Sequence, residues 1–158
     1  MPLRDGLQKE EIMRGYFGIG IVGCKIHENF GTLFRSSNIF GASFIFLVGK
    51  RFKKQRSDTM RTERHIPLTE YATLKAVKGN LPVGCKLIGI ELDQRAVEIK
   101  KYKHPPQACY VLGAEDRGLT EEEISLCDEI IKIPGKYSLN VSVAGSIVLY
   151  DRIIKRGV

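Results

Sequence analysis

Cysteine and histidine are too few and too scattered in this chain to build a metal centre. Cys24, Cys85, Cys109 and Cys127 contain no C-x-x-C pair, and His27, His65 and His104 complete no zinc spacing. Cys24, Cys85 and Cys109 lie in or beside apolar runs, where a thiol serves as a small hydrophobe, so the expectation is a reduced, cytoplasmic protein with no metal. No apolar run approaches the length needed to cross a membrane. The first residues, with Arg4, Asp5, Lys9, Glu10 and Glu11, lack the apolar core of a secretion signal. Repeats, low-complexity tracts and linkers are also missing. What remains is a 158-residue chain sized for one domain with its own core. Residues 1–15 are expected to form a polar arm or short helix, and residues 16–158 the domain.

Negative charge is in short supply. Against 25 Lys and Arg stand 18 Asp and Glu, a net charge of +7, and such a surplus favours a polyanionic partner without naming it. Most of it is local. Between Lys50 and His65, the seven cations Lys50, Arg51, Lys53, Lys54, Arg56, Arg61 and Arg64 face only Asp58 and Glu63. A smaller cluster is Lys100, Lys101, Lys103 and His104. Both can be plain solvated loops; as functional features they would track a phosphate backbone, with binding that weakens steeply in salt.

Five apolar runs have strand length: Phe17–Cys24, Ser43–Val48, Lys86–Leu92, Ala108–Leu112 and Glu129–Ile133. Helices are predicted over about Phe30–Phe40 with Gly41 as its stop, near Leu68–Lys78, from the capping box Thr120-Glu121-Glu122-Glu123 to Leu126, and from Asn140 to Lys155. The last is apolar on more than one face and is expected to be buried on two sides. Continuous apolar strands alternating with helices imply an α/β fold with a parallel sheet covered on both faces. Gly18-Ile19-Gly20-Ile21-Val22-Gly23 matches G-x-G-x-x-G letter for letter, yet it lies within a strand, and no acidic residue follows about 20 positions on. Those glycines are read as sites of close backbone packing, not as a dinucleotide cradle.

Three segments place chemistry where strand gives way to turn or helix, the ligand-binding edge of open α/β sheets. In Asn29-Phe30-Gly31-Thr32-Leu33-Phe34-Arg35, Asn29 can be a simple N-cap and Arg35 a surface residue, or the pair can hold a phosphate and a sugar hydroxyl. Leu112-Gly113-Ala114-Glu115-Asp116-Arg117-Gly118-Leu119 has two glycines around a charged triplet, more than a plain turn needs, and suggests close backbone approach to a ligand. In Ile133-Pro134-Gly135-Lys136-Tyr137-Ser138-Leu139-Asn140, either Ser138 or Asn140 can cap the final helix.

Together and in this order, N-F-G-T-L-F-R-S-S-N-I-F-G, L-G-A-E-D-R-G-L-T and I-P-G-K-Y-S-L-N-V-S-V-A closely resemble the SpoU/TrmH-type RNA ribose methyltransferases of the SPOUT superfamily, over roughly residues 17–156. The resemblance implies a single-domain parallel-sheet SPOUT fold with a C-terminal deep trefoil knot, which composition and spacing do not show. It implies S-adenosylmethionine as cofactor, a homodimer with the active site near the subunit interface, and RNA as substrate, tRNA ahead of rRNA for a compact basic chain. By motif position Gly113, Ile133 and Leu139 are cofactor contacts, with Ile90 or Glu91 bordering the adenosine. Asn29, Arg35, Glu115, Ser138 and Asn140 fall on the catalytic and substrate-side positions. The loop Gly135–Tyr137 is shorter than in many such proteins. The implied reaction is metal-free methyl transfer to a ribose 2′-hydroxyl, an in-line displacement that needs alignment and loss of one proton. Arg35 stays protonated and is expected to clamp the adjacent phosphate, with Asn29 orienting the ribose and Glu115 anchoring loops. The alternatives are methylation of a base, and a non-catalytic RNA-binding protein of the same fold.

Overall fold

The computed structural model describes residues 15–49 and 62–156. In chain order its elements are β1 (Tyr16–Val22), α1 (His27–Ile39), β2 (Phe44–Val48), β3 (Leu68–Tyr71), α2 (Leu74–Gly79), β4 (Lys86–Ile90), β5 (Val97–Glu98), β6 (Gln107–Leu112), α3 (Glu121–Leu126), β7 (Glu129–Lys132) and α4 (Val141–Arg156). The strands form one parallel sheet in the order β3-β2-β1-β6-β4-β7-β5. The expected parallel α/β architecture is present, and its five predicted strands are β1, β2, β4, β6 and β7.

Two elements differ from expectation. The helix predicted over Leu68–Lys78 is divided: Leu68–Tyr71 pairs with β2, and only Leu74–Gly79 is helical, started by the Thr73 hydroxyl accepting from the Ala76 amide. Leu68-Thr69-Glu70-Tyr71 fits a half-exposed edge strand, and its pairing with Ile45–Val48 overrides the helical spacing. The two-residue β5 is too short to leave a periodic signal.

Each face of the sheet carries its own core. Phe17, Ile19, Ile21, Ile45 and Tyr110 pack under Phe30 and Leu33 of α1 and Val148 and Leu149 of α4. On the other face Phe46, Val48, Leu87 and Val111 pack against Leu74 and Val77 of α2 and Ile124 of α3. The strand glycines serve this packing. A Cβ on Gly18 would stand 2.3 Å from the Phe44 ring and one on Gly20 would stand 2.4 Å from Phe46, so the G-x-G-x-x-G letters reflect ring-over-backbone contact within the sheet.

Helix α4 runs from the carboxyl edge of the sheet back toward its amino edge. Gly145 lets it approach α1, since a Cβ there would sit 2.5 Å from Leu33 Cδ1. Its outer side is not buried in the single chain: Val143, Ile147, Tyr150 and Ile154 are exposed. Near its end, Arg152 is 1% exposed, lies 4.7 Å over the Phe17 ring and donates to the Pro105 and Pro106 carbonyls and to the Tyr110 hydroxyl. Tyr110 in turn meets His104 Nδ1 at 2.6 Å, and His104 Nε2 meets Asp151 at 2.7 Å. Burial pushes Tyr110 up to about 12 and His104 below its ordinary 6.5, so a neutral imidazole accepts from Tyr110 and donates to Asp151.

Candidate active site at the carboxyl edge of the sheet

The segments after β1, β6, β4 and β7 converge because those strands are neighbours whose carboxyl ends lie side by side. The direction of strand addition also reverses here: β1 leads outward to β2 on one side and lies against β6 on the other. Such a point in a parallel sheet leaves a crevice between diverging connections.

Glu115 holds the convergence together. Its Oε1 accepts from the Cys24 thiol at 2.8 Å, the Asn29 side-chain amide at 2.8 Å and the Ile26 amide at 3.2 Å, while Oε2 accepts from the Lys25 amide at 2.9 Å. Partial burial works to raise this carboxyl, but the donors outweigh it and bring it from 4.5 down to about 2. Asn29 continues the chain, its Oδ1 accepting from Asn140 Nδ2 at 3.1 Å. Asn140 Oδ1 then accepts from the Ser142 amide at 2.9 Å, the Ser142 hydroxyl at 2.6 Å and the Val143 amide at 3.3 Å, capping α4. One carboxylate and two side-chain amides thereby link all three sequence segments. Asn29 itself is not an N-cap: α1 begins earlier, at His27, and Asn29 sits in its first turn, 6% exposed.

The two glycines of the second segment meet each other. A Cβ on Gly113 would lie 2.0 Å from the Gly118 carbonyl carbon, and one on Gly118, where φ is +65°, would lie 2.4 Å from Glu91 Oε2. The backbone approach expected for a ligand is therefore first a self-crossing of the loop, closed by the Gly118 amide donating to the Ala114 carbonyl at 2.8 Å. Glu91 locks it from β4, accepting from the Leu119 amide at 2.7 Å. Outside the crossing, Asp116 pairs with Lys25 and Arg117 with Glu123.

A cavity of about 280 Å³ opens above this loop. Ile90, Gly113, Ile133 and Leu139, the four expected cofactor contacts, all line it, as do Glu115, Ser138 and Glu91. Leu112, Val141 and Ala144 add apolar wall. Asn29 and Asn140 stand behind Glu115, with their amides turned to one another. Arg35 lies on the exposed side of α1 and does not line the cavity of its own chain. Of the basic cluster, Arg64 is exposed, while Lys50, Arg51, Lys53, Lys54, Arg56 and Arg61 lie outside the described residues. Among the described residues no three His, Cys, Asp or Glu side chains gather as a metal site would require, and no helix is long and apolar enough to cross a membrane.

Sequence reasoning missed Cys24 and the loop-locking role of Glu91. Cys24 is nearly fully buried and reads as a core residue; only its place just beyond β1 hints that the thiol faces the crevice. Glu91, the acidic residue directly after an apolar strand, carried the stronger signal.

Comparison with known proteins agrees with this geometry. Residues 17–150 match the SpoU rRNA Methylase family. A 23S rRNA (guanosine-2′-O-)-methyltransferase of Acinetobacter baylyi is 31% identical over 140 residues, covering 82% of this chain and 56% of its own. The AdoMet-bound rRNA methyltransferase of Sinorhizobium meliloti shares the fold with a TM-score of 0.77 at 21% identity, over 91% of this chain and 60% of that one. A structure concerned with 2-OH methylation of C/U34 on tRNA matches with a TM-score of 0.77 at 19% identity, over 90% of this chain and 97% of that one. The chain spans 56–66% of the length of the leading curated relatives it matches.

Proposed function

The chain belongs to the SpoU rRNA methylase family, and on that premise we propose that it transfers a methyl group from S-adenosylmethionine to a ribose 2′-hydroxyl of RNA, with tRNA favoured over rRNA. The observation that carries this reading is the cavity lined by the second and third sequence segments, walled by apolar side chains and bordered by the ionised Glu115, to which Asn29 of the first segment is hydrogen-bonded. The residues fit the cofactor. Ile90, Ile133 and Leu139 offer an apolar slot for a purine, the Gly113 backbone offers polar edges, and Glu91 and Glu115 offer negative charge toward a cation. When bound, S-adenosylmethionine supplies the methyl group as an electrophile. A tRNA (guanosine(18)-2′-O)-methyltransferase of Escherichia coli, 26% identical over 135 residues, supports tRNA as the substrate.

The chain's own residues divide the remaining work. Ser138, exposed at the cavity wall, orients the ribose hydroxyl. Arg35 clamps the neighbouring phosphate and lowers the hydroxyl's pKa through its charge, remaining protonated while solvent takes the proton. Asn29, Asn140 and Glu115 hold the cavity floor in register. Their polar groups are directed at one another, which suits positioning better than direct contact with the sugar.

Arg35 requires a second subunit. The exposed apolar residues Val143, Ile147, Tyr150 and Ile154 run along α4, and Phe40 meets Tyr150 with ring centroids 6.2 Å apart, so this strip continues onto the end of α1 at exposed Ile39. Arg35 lies one helical turn before Ile39. A homodimer packed on this surface would cover the apolar strip and carry Arg35 to the interface. The deep knot is supported by strand order: β7, late in the chain, lies between β4 and β5, whose connection over residues 91–96 must cross it. Residues 16–49 and 62–156 then belong to one methyltransferase domain working on RNA in the cytoplasm; the arm expected over residues 1–15 lies, apart from Gly15, outside the described residues.

The test is to incubate the full chain with isotopically methyl-labelled S-adenosylmethionine and total RNA, digest the RNA to nucleosides and weigh them. Label on 2′-O-methylnucleosides is expected. Label on a base, or none with cofactor binding absent by calorimetry, removes the proposal.

A further inference from the structure

Three cations around the cofactor cavity are already answered. Asp116 holds Lys25, Asp93 and Glu121 hold Arg95, and Glu123 holds Arg117. A polyanion that presents one ribose to this cavity can find further counter-charge elsewhere. The last turn of α4 offers it. There Tyr102, Lys103, His104, Lys155 and Arg156 line a second hollow of about 410 Å³. Val141 borders the first cavity and Arg156 the second, so the helix separates them by about 22 Å at 1.5 Å per residue.

The charges of this hollow fall into two sets. Lys155 is engaged within the chain: its ammonium donates to the Ile99 and Tyr102 carbonyls and pairs with Asp151 at 2.9 Å, which pins residues 99–102 against α4. Arg152 and His104 are engaged in the buried network beneath. Pinning the turn sets Lys100, Lys101 and Lys103 outward, all exposed and none in an ion pair among the described residues. Arg156 stands beside them, its ionisation disfavoured first by burial and then by the nearby charge of Arg152. A helix C-terminus needs only its own last-turn cations, here Lys155 and Arg156, to answer its dipole. Three further lysines gathered from a different part of the chain exceed that need.

We propose that the hollow at the end of α4, with Lys100, Lys101 and Lys103, is an RNA-backbone docking site that grips phosphates about 22 Å from the methyl-transfer cavity, measured as the rise along α4. This rests on the RNA reading above and adds to it a second point of contact. It restricts substrates to RNAs large enough to reach both places, and it contributes affinity without sequence preference.

The test uses the full chain carrying Lys100→Glu, Lys101→Glu and Lys103→Glu together. Binding of fluorescently labelled bulk tRNA is followed between 50 and 200 mM KCl. The proposal expects affinity to fall about tenfold or more, and the slope of log affinity against log salt to fall by about 2. The Lys→Gln triple variant should lie between wild type and the Glu variant, and Lys75→Glu on α2 should match wild type. S-adenosylmethionine affinity and melting temperature should be unchanged in all of them. Affinity and slope within twofold of wild type in the Glu triple variant overturn the docking site and leave the RNA reading standing. A wild-type protein that binds no tRNA sinks that reading, and the docking site with it. Loss equal in Lys75→Glu overturns the docking site by showing that only net charge matters.

Discussion

The two ends of α4 present two polar networks built from similar materials and put to opposite use. At its first turn, Asn140, Asn29 and Glu115 join three connections, and the carboxylate keeps a side toward an open cavity. Toward its last turn, Arg152, Tyr110, His104 and Asp151 form a chain whose donors and acceptors are directed inward at one another and at the Pro105 and Pro106 carbonyls. Burial alone would nominate the second, since Arg152 is 1% exposed and His104 is 3% exposed. What separates them is the direction of the unspent hydrogen-bonding capacity. The first network faces a space that a ligand can enter; the second fastens the end of a helix to the starts of β1 and β6.

The comparison breaks most visibly at Arg152. Arg152→Met removes the Arg152 donor from the Pro105 carbonyl, the Tyr110 hydroxyl and the Pro106 carbonyl, which keeps the Tyr16 amide, and should cost about 3–4 kcal/mol of stability in a denaturant titration. Cofactor affinity, measured below the melting transition, should hold. Gly113→Ala should do the reverse. Its Cβ would overlap the Gly118 backbone, so the cavity floor must shift, costing about 2–3 kcal/mol of cofactor binding by calorimetry with a smaller change in melting temperature. Glu115→Gln keeps the shape but turns an amide N–H toward donors, and should lower the methylation rate by about 2 kcal/mol of transition-state free energy, with the loss mainly in kcat. Cys24→Ala removes one donor of the several on Glu115 and should cost about 1 kcal/mol in the same assay, while Cys24→Ser, which restores a donor, recovers most of it.

The smallest expected effects are on pH dependence, and they differ in window between the two networks. His104 is held neutral below its ordinary 6.5, so the unfolded chain takes the proton first; stability should decline as pH falls from about 6.5, and His104→Gln should flatten that slope. Glu115, lowered from 4.5 to about 2, contributes stability above about 4.5 that is lost as pH falls toward 2, and Glu115→Gln should remove only that acid-side loss.

Much of this was legible in the chain because strand runs, the Thr120 capping box and the Asn140 cap are local signals, and local physics decides them. Asn29 was misplaced as a cap because the start of α1 at His27 depends on Glu115, which accepts from the Ile26 amide across 89 residues. The strand Leu68–Tyr71 exists because β2 has a free side to receive it. The reading of Gly113 and Gly118 identified the right positions for a partly wrong reason, since the close approach is between the two glycines themselves. The positions of the four cofactor-side residues around one cavity came from motif resemblance; spacing alone could not bring Ile90 beside Ile133.

The most direct test of the division between the two ends of α4 is amide hydrogen exchange on the full chain with and without S-adenosylmethionine. Exchange should slow across residues 113–119 and 133–140 and stay unchanged across residues 102–106 and 152–156. Protection confined to the second pair of segments, or absent from the first, would contradict it.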